Sequence, residues 1–375
     1  MDCVGLWGNI ELYLADYLMI DLTDDQFSKL AKLIERRRVK NEFVELLALA
    51  KKAQVETLTV SERKPISASK DQNYSKLLRQ LIQCVEQKLL NEQTIVEILS
   101  GSEIAGNQHV MLFEVPQPDK KDKTTIAFLD FVASPKHQRN KAETLAEFIA
   151  PPKSSHCRIL SKSDDEVTVK FVSERNYWLV NELAEGATLD RRLFERLRQR
   201  ERSAIVLKVS ISKGLIQVRV PPTEKGGIGS ASSHYEFARD TIASHYPHDW
   251  FSKLKSLPIT DAFPTLVNDD DTLVSLWADS PEDDDISSRI KNQGRPNISS
   301  DLRKNTNWKF KNGYARTSLY AYFRCAEQKT STMYARLHAD KLRKAGKGTL
   351  ARLFVPRSCK DEELEDAIAR IRKHV

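Results

Sequence analysis

The stretch AIVLKVSISKGLIQVRV, residues 204–220, decides the fold class. Two runs dominated by Val, Ile and Leu, 204–211 and 215–220, flank the turn Ser212-Lys213-Gly214. β-Branched runs bounded by a glycine turn predict a β-hairpin. Upstream, 158–161 and 167–172 predict a second hairpin over the polar turn 162–165. Residues 109–115 and 124–132 predict a further one around the loop 116–123. Each pair is followed by a stretch of helical spacing, at 141–149, 188–202 and 235–255. Three strand–strand–helix units in succession predict an α+β domain over 106–256, with antiparallel strands and covering helices.

Before this domain the hydrophobic period is 3.6 rather than 2. Residues 24–54 place Phe27, Leu30, Leu33, Ile34, Val44, Leu46 and Leu47 near helical spacing, with Asp24 and Asp25 at the positive helix N-terminus. Residues 72–100 repeat the pattern with Leu77, Leu78, Leu81, Ile82, Val85, Leu89, Ile95 and Ile98. The expectation for 1–105 is a helical domain that binds a partner or self-associates. Residues 257–300 combine Pro258, Pro264 and Pro281 with an acidic run, then Gly294 and Pro296, and are expected to form an acidic, then polar, linker.

The last part, 301–375, is expected to be a small basic α+β module of order ββαβα. Asn312-Gly313 between alternating residues favours a two-residue hairpin turn. That register would put Lys309, Lys311, Tyr314 and Arg316 on one face, joined by Tyr320, Tyr322 and Arg324 if the second strand runs on. Residues 332–344 predict a helix presenting Arg336, Lys341, Arg343 and Lys344, with Lys347 beyond it. Residues 350–355 predict a strand and 362–372 a closing helix.

Charge points to a partner. Residues 286–360 carry eighteen Lys and Arg against three acids, 18 − 3 = +15, whereas the whole chain nets +7. Just upstream, 263–285 has eight acids and no base. A dense cationic surface interleaved with tyrosines suits phosphate, through counterion release, and unpaired bases, through stacking. A second cluster, Arg191, Arg192, Arg196, Arg198, Arg200 and Arg202, falls on the expected helix 188–202, with Leu189, Leu193, Phe194 and Leu197 as its buried stripe. Arginine without lysine suits bidentate phosphate contacts. The expected function is therefore DNA or RNA binding through the C-terminal module, aided by Arg192, Arg196 and Arg198. Two alternatives remain at this level: a scaffold whose basic face meets an acidic protein, and a metal-dependent nuclease using Glu327-Gln328-Lys329.

Signals for catalysis are weak, and no catalytic residue, cofactor or metal site is expected. His234 and His245, eleven residues apart on a helix, would stand roughly 16 Å apart, too far to share an ion. Gly226-Gly227-Ile228-Gly229-Ser230 lacks the third glycine of a dinucleotide fingerprint and follows Pro221-Pro222. Five widely spaced cysteines without a CxxC pair fit thiols in a reducing compartment. No apolar run approaches the ~20 residues of a membrane span, so the expected location is cytoplasmic, or associated with the nucleoid or nucleus.

Overall fold

The computed structural model describes residues 22–37, 39–116, 123–188, 191–222, 231–262, 273–282, 286–291, 318–324, 332–339, 351–355 and 361–375. The chain mixes helix with an antiparallel sheet, an α+β fold. Among the described residues four helices come first, α1 (Asp24–Arg37), α2 (Lys40–Thr57), α3 (Tyr74–Glu86) and α4 (Glu92–Ile104). Both helical runs of the sequence are thus broken in two. Asn73 and Asn91 cap the third and fourth helices by accepting from the amides of Lys76 and Gln93. Lys88 ends the third in a left-handed conformation (φ 59°), and the amides of Leu89 and Leu90 turn back to the Cys84 carbonyl. The helices close around Leu30, Ile34, Phe43, Leu47, Leu77, Leu81 and Ile95, all fully buried.

The sheet begins at β1 (Gln108–Glu114). After α5 (Lys123–Val132) and the short α6 (Leu145–Ile149) come β2 (His156–Lys162), β3 (Glu166–Thr188), β4 (Arg191–Ser210) and β5 (Leu215–Val220). Next follow α7 (Ala231–Ser244), two short 3-10 turns at Phe251–Lys253 and Ile259–Ala262, then β6 (Leu273–Glu282) and β7 (Ile286–Lys291). β8 (Ser318–Arg324), β9 (Thr332–Ala339), β10 (Ala351–Val355) and α8 (Asp361–Arg372) complete the chain. The strand order is β2-β3-β4-β5-β1-β10-β9-β8-β6-β7, every pairing antiparallel.

Alternation divides the two faces of β1–β5. One face carries Met111, Phe113, Val169, Phe171, Ile205, Leu207, Ile216 and Val218, packed with Leu129 and Val132 of α5, Ala238 and Ile242 of α7, and Phe251. On the other face the registers Lys170↔Val206↔Arg219 and Lys208↔Gln217 bring long polar side chains together beneath α4, α6 and α8.

The hairpins around 162–165 and 212–214 match the sequence reading, and four expectations are corrected. Residues 124–132 are helix, not strand, because Leu129, Val132 and Ala133 bury at helical spacing while β1 takes its partners from β5 and β10. Residues 191–202 belong to a strand, not a helix, because Leu193–Arg202 pair in turn with Leu183–Glu174 of β3 and Arg191 pairs with Thr188. Residues 332–339 are a strand, not the start of a helix: Met333, Ala335 and Leu337 alternate with Tyr334, Arg336 and His338, a period of 2 that pairing with β8 and β10 selects. Among the described residues the C-terminal part therefore runs strand, strand, strand, helix, and the ββαβα order does not hold. Within 257–300, expected as linker, Leu273–Glu282 and Ile286–Lys291 are strands of the sheet.

Candidate nucleic-acid interface

β3 and β4 span 23 and 20 residues, far more than their neighbours. β2 pairs with β3 only as far as Val172, and β5 with β4 only from Val206 onward. From Ser173↔Ser203 outward the two strands pair, among the described residues, only with each other, through Leu183↔Leu193, before the register shifts and ends at Thr188↔Arg191. At ~3.3 Å per residue, β4 carries this two-stranded ribbon roughly 40 Å beyond the shared sheet.

The strand conformation changes what the arginine cluster means. On a helix those residues would scatter around the axis. In β4 the residues Arg192, Arg196, Arg198, Arg200 and Arg202 all fall at even positions, spaced by two or multiples of two. Alternate strand residues lie about 6.6 Å apart. Arg198 is exposed, and Arg200 is 64% exposed while paired with Glu174 across the ribbon. Leu197, between them and the outer ribbon, is also exposed.

At the ribbon's root the same ladder becomes structural. Arg202 is buried and donates to both oxygens of Glu103 (3.2 and 3.1 Å) and to Glu143. Lys170 reaches Glu103 at 2.6 Å and Glu143 at 2.7 Å, and Arg37 reaches Glu103 at 3.2 Å. Phe148 lies under the cations of Lys170 and Arg202. Burial by itself would raise the Glu103 carboxyl, but the fields of Arg202, Lys170 and Arg37 prevail and hold it far below the usual carboxylate range. Glu143 is lowered for the same reason, its burial outweighed by Lys170 and Arg202. Burial would weaken the Arg202 cation, yet Glu103 and Glu143 drive its proton affinity above the ordinary arginine value. These groups fasten the helices to the sheet.

Between α1 and the root of the ribbon lies an open cleft of about 710 Å³. Lys29 and Lys32 of α1 face Tyr177 of β3 and Gln199 and Arg200 of β4 across it. Lys29 pairs with Asp25 at 2.6 Å, whereas Lys32 is exposed with no ion-pair partner among the described residues. Its lining mixes these cations with Asp25, Glu35 and Glu201, so the cleft as a whole is close to charge balance.

A second ionic cluster holds the end of the chain. Arg219, fully buried, meets Asp361 and Glu365 of α8, and Lys208 reaches Asp361 at 3.1 Å and Glu365 at 3.2 Å. Burial opposes ionisation of Asp361, but Arg219 and Lys208 keep its carboxyl below the usual range.

Of the residues singled out by sequence, Arg192, Arg196 and Arg198 lie on β4 and Tyr320, Tyr322 and Arg324 on β8. Arg336 is on β9, its register opposite Tyr320. Lys309, Lys311, Tyr314, Arg316, Lys341, Arg343, Lys344 and Lys347 lie outside the described residues, as does Glu327. Sequence reasoning missed Lys32, Tyr177 and Arg200 as neighbours, because they come from three separated elements. The one available signal was the Arg-x-Arg-x-Arg-x-Arg repeat of 196–202, which is a strand period. The sequence matches no protein-family model, and no curated protein is similar to it.

Proposed function

We propose that this protein binds nucleic acid through the arginine-bearing β3–β4 ribbon, with the cationic 286–360 region adding non-specific attraction. The observation that carries the reading is the ribbon itself, a long two-stranded element with exposed Arg198 and Arg200 at alternate positions. A two-stranded ribbon has the width that the major groove of B-DNA admits. The spacing of about 6.6 Å between alternate residues is close to two rises of about 3.4 Å along one DNA strand. Arginine forks fix such an element on phosphate by paired, charge-assisted bonds. Activity of its own is not part of the proposal.

Fluorescence anisotropy of the full chain with labelled duplex and single-stranded DNA and RNA, over a salt series, tests it. If the two exposed arginines each neutralise one phosphate, R198A/R200A should flatten the slope of log K against log salt by about 1.8 on duplex DNA. An unchanged slope would remove the ribbon from the interface. No binding at low salt would reject nucleic acid altogether, and the basic surface would then belong to an acidic protein partner.

A further inference from the structure

His245, just past the end of α7, meets a serine. Ser155 stands just before β2, and its Oγ lies 2.8 Å from His245 Nε2. The other ring nitrogen, Nδ1, lies 2.8 Å from the carbonyl oxygen of Lys136. A carbonyl only accepts, so Nδ1 carries the ring proton and Nε2 is left as the acceptor of the Ser155 hydroxyl. Hydroxyl, base and orienting group therefore follow one another in the order used by activated serine nucleophiles.

The surroundings separate the two partners. His245 is fully buried, with Phe171 at 5.1 Å and His137 at 5.7 Å between ring centroids. Burial first, and then the neighbouring His137 and His156, lower its pKa, so the ring is neutral and able to take a proton at neutral pH. Ser155 is only partly buried and so open to a small reagent from the protein's edge. His137 is exposed and held in a left-handed conformation (φ 59°), its carbonyl accepting from the Cys157 amide. Non-glycine residues in that conformation are uncommon and need surrounding contacts to hold them. Both nitrogens of His245 are engaged, which leaves none to ligate a metal.

We propose that Ser155 and His245 form a nucleophile–base pair that accepts an acyl group from a small, anionic carboxylic ester. The anionic preference follows from exposed Lys136, whose carbonyl orients the ring, and exposed Lys153, two residues from Ser155. Ser155 Oγ bonds to the ester carbonyl carbon as its proton passes to His245 Nε2. The C–O bond to the alcohol then breaks, and His245 returns the proton to that departing oxygen. Water repeats the sequence on the acyl-serine, giving acid, alcohol and the free hydroxyl, with no oxidant or cofactor consumed.

The full chain is treated with a fluorophosphonate probe, whose P–F bond breaks as Oγ–P forms and HF leaves, and adducts are mapped by peptide mass spectrometry. Exposed Ser154 is the internal control for ordinary serine reactivity. The expected result is labelling of Ser155 at least about tenfold faster than Ser154, rising with pH through one ionisation below the ordinary histidine value of 6.5. Release of 4-nitrophenolate above the protein-free rate should be greater for 4-nitrophenyl succinate than for the neutral acetate, and that excess should vanish in S155A. Equal labelling of the two serines, or a rate that simply follows hydroxide with no such inflection, overturns the pair. Labelling of Ser155 with no preference for the succinate overturns the assigned substrate class.

Discussion

Replacing Glu103 with glutamine probes how the helical bundle is fastened to the sheet. Glu103 is 1% exposed and accepts from Arg37 (3.2 Å), from Arg202 (3.2 and 3.1 Å) and from Lys170 (2.6 Å). The cluster holds three cations, Arg37, Lys170 and Arg202, against Glu103 and Glu143, so 3 − 2 = +1 becomes 3 − 1 = +2 in E103Q. Removing one partner of a buried pair leaves an uncompensated charge and costs about 3–5 kcal/mol. At roughly 1.4 kcal/mol per tenfold, that is about two to three and a half orders of magnitude in the opening equilibrium. Native-state hydrogen exchange is the suitable assay, since it reports opening of α4, β3 and β4 without assuming that a chain of 375 residues unfolds in one step. The double variant E103Q/R202Q restores the +1 balance and should recover part of the loss, since contacting groups couple by roughly 0.5–3 kcal/mol. A loss below about 1 kcal/mol in E103Q would refute the view that this network holds the two layers together.

Glu103 and Glu143 are lowered from the ordinary value of 4.5; the unfolded chain therefore binds more protons below that value. The stability they confer is complete above pH 4.5 and falls as pH drops toward their folded values, so an acid melt of E103Q should be shallower than that of the parent chain. Burial raises the thiols of Cys84 and Cys157 to about 11 and about 12. Iodoacetamide at pH 8 should leave both unmodified until denaturant is added, and modification in the folded chain would contradict their burial. Gly214 turns the β4–β5 hairpin at φ 57°, with no atom within 4 Å of where a Cβ would stand. G214A should then cost about 1–2 kcal/mol from backbone conformation alone, seen in a urea melt, and an unchanged midpoint would mean the turn relaxes.

How the arginines act is where sequence and structure part most clearly. Their number and the +15 charge of 286–360 are written in the chain. Whether Arg198 and Arg200 scatter around a helix or line one strand was ambiguous locally. Leu189, Leu193 and Leu197 at i, i+4 favour the helix, and Arg-x-Arg-x-Arg favours the strand. Pairing with β3, residue by residue, settled it, and pairing partners lie outside any local window.

The sequence by itself determined the helical character of the described residues from 24 to 104, the hairpins at 162–165 and 212–214, and the mixed α+β class, because periodicity and turn residues are local properties. Only the tertiary structure decided that Arg202 is a buried strut while Arg200, two residues away, faces solvent. It also decided that α8 returns to Arg219 and Lys208, and that His245 meets Ser155. Each of these joins residues 26 to 153 positions apart, and a charge's role depends on how much water and which opposite charge surround it. That environment exists only once the layers have packed.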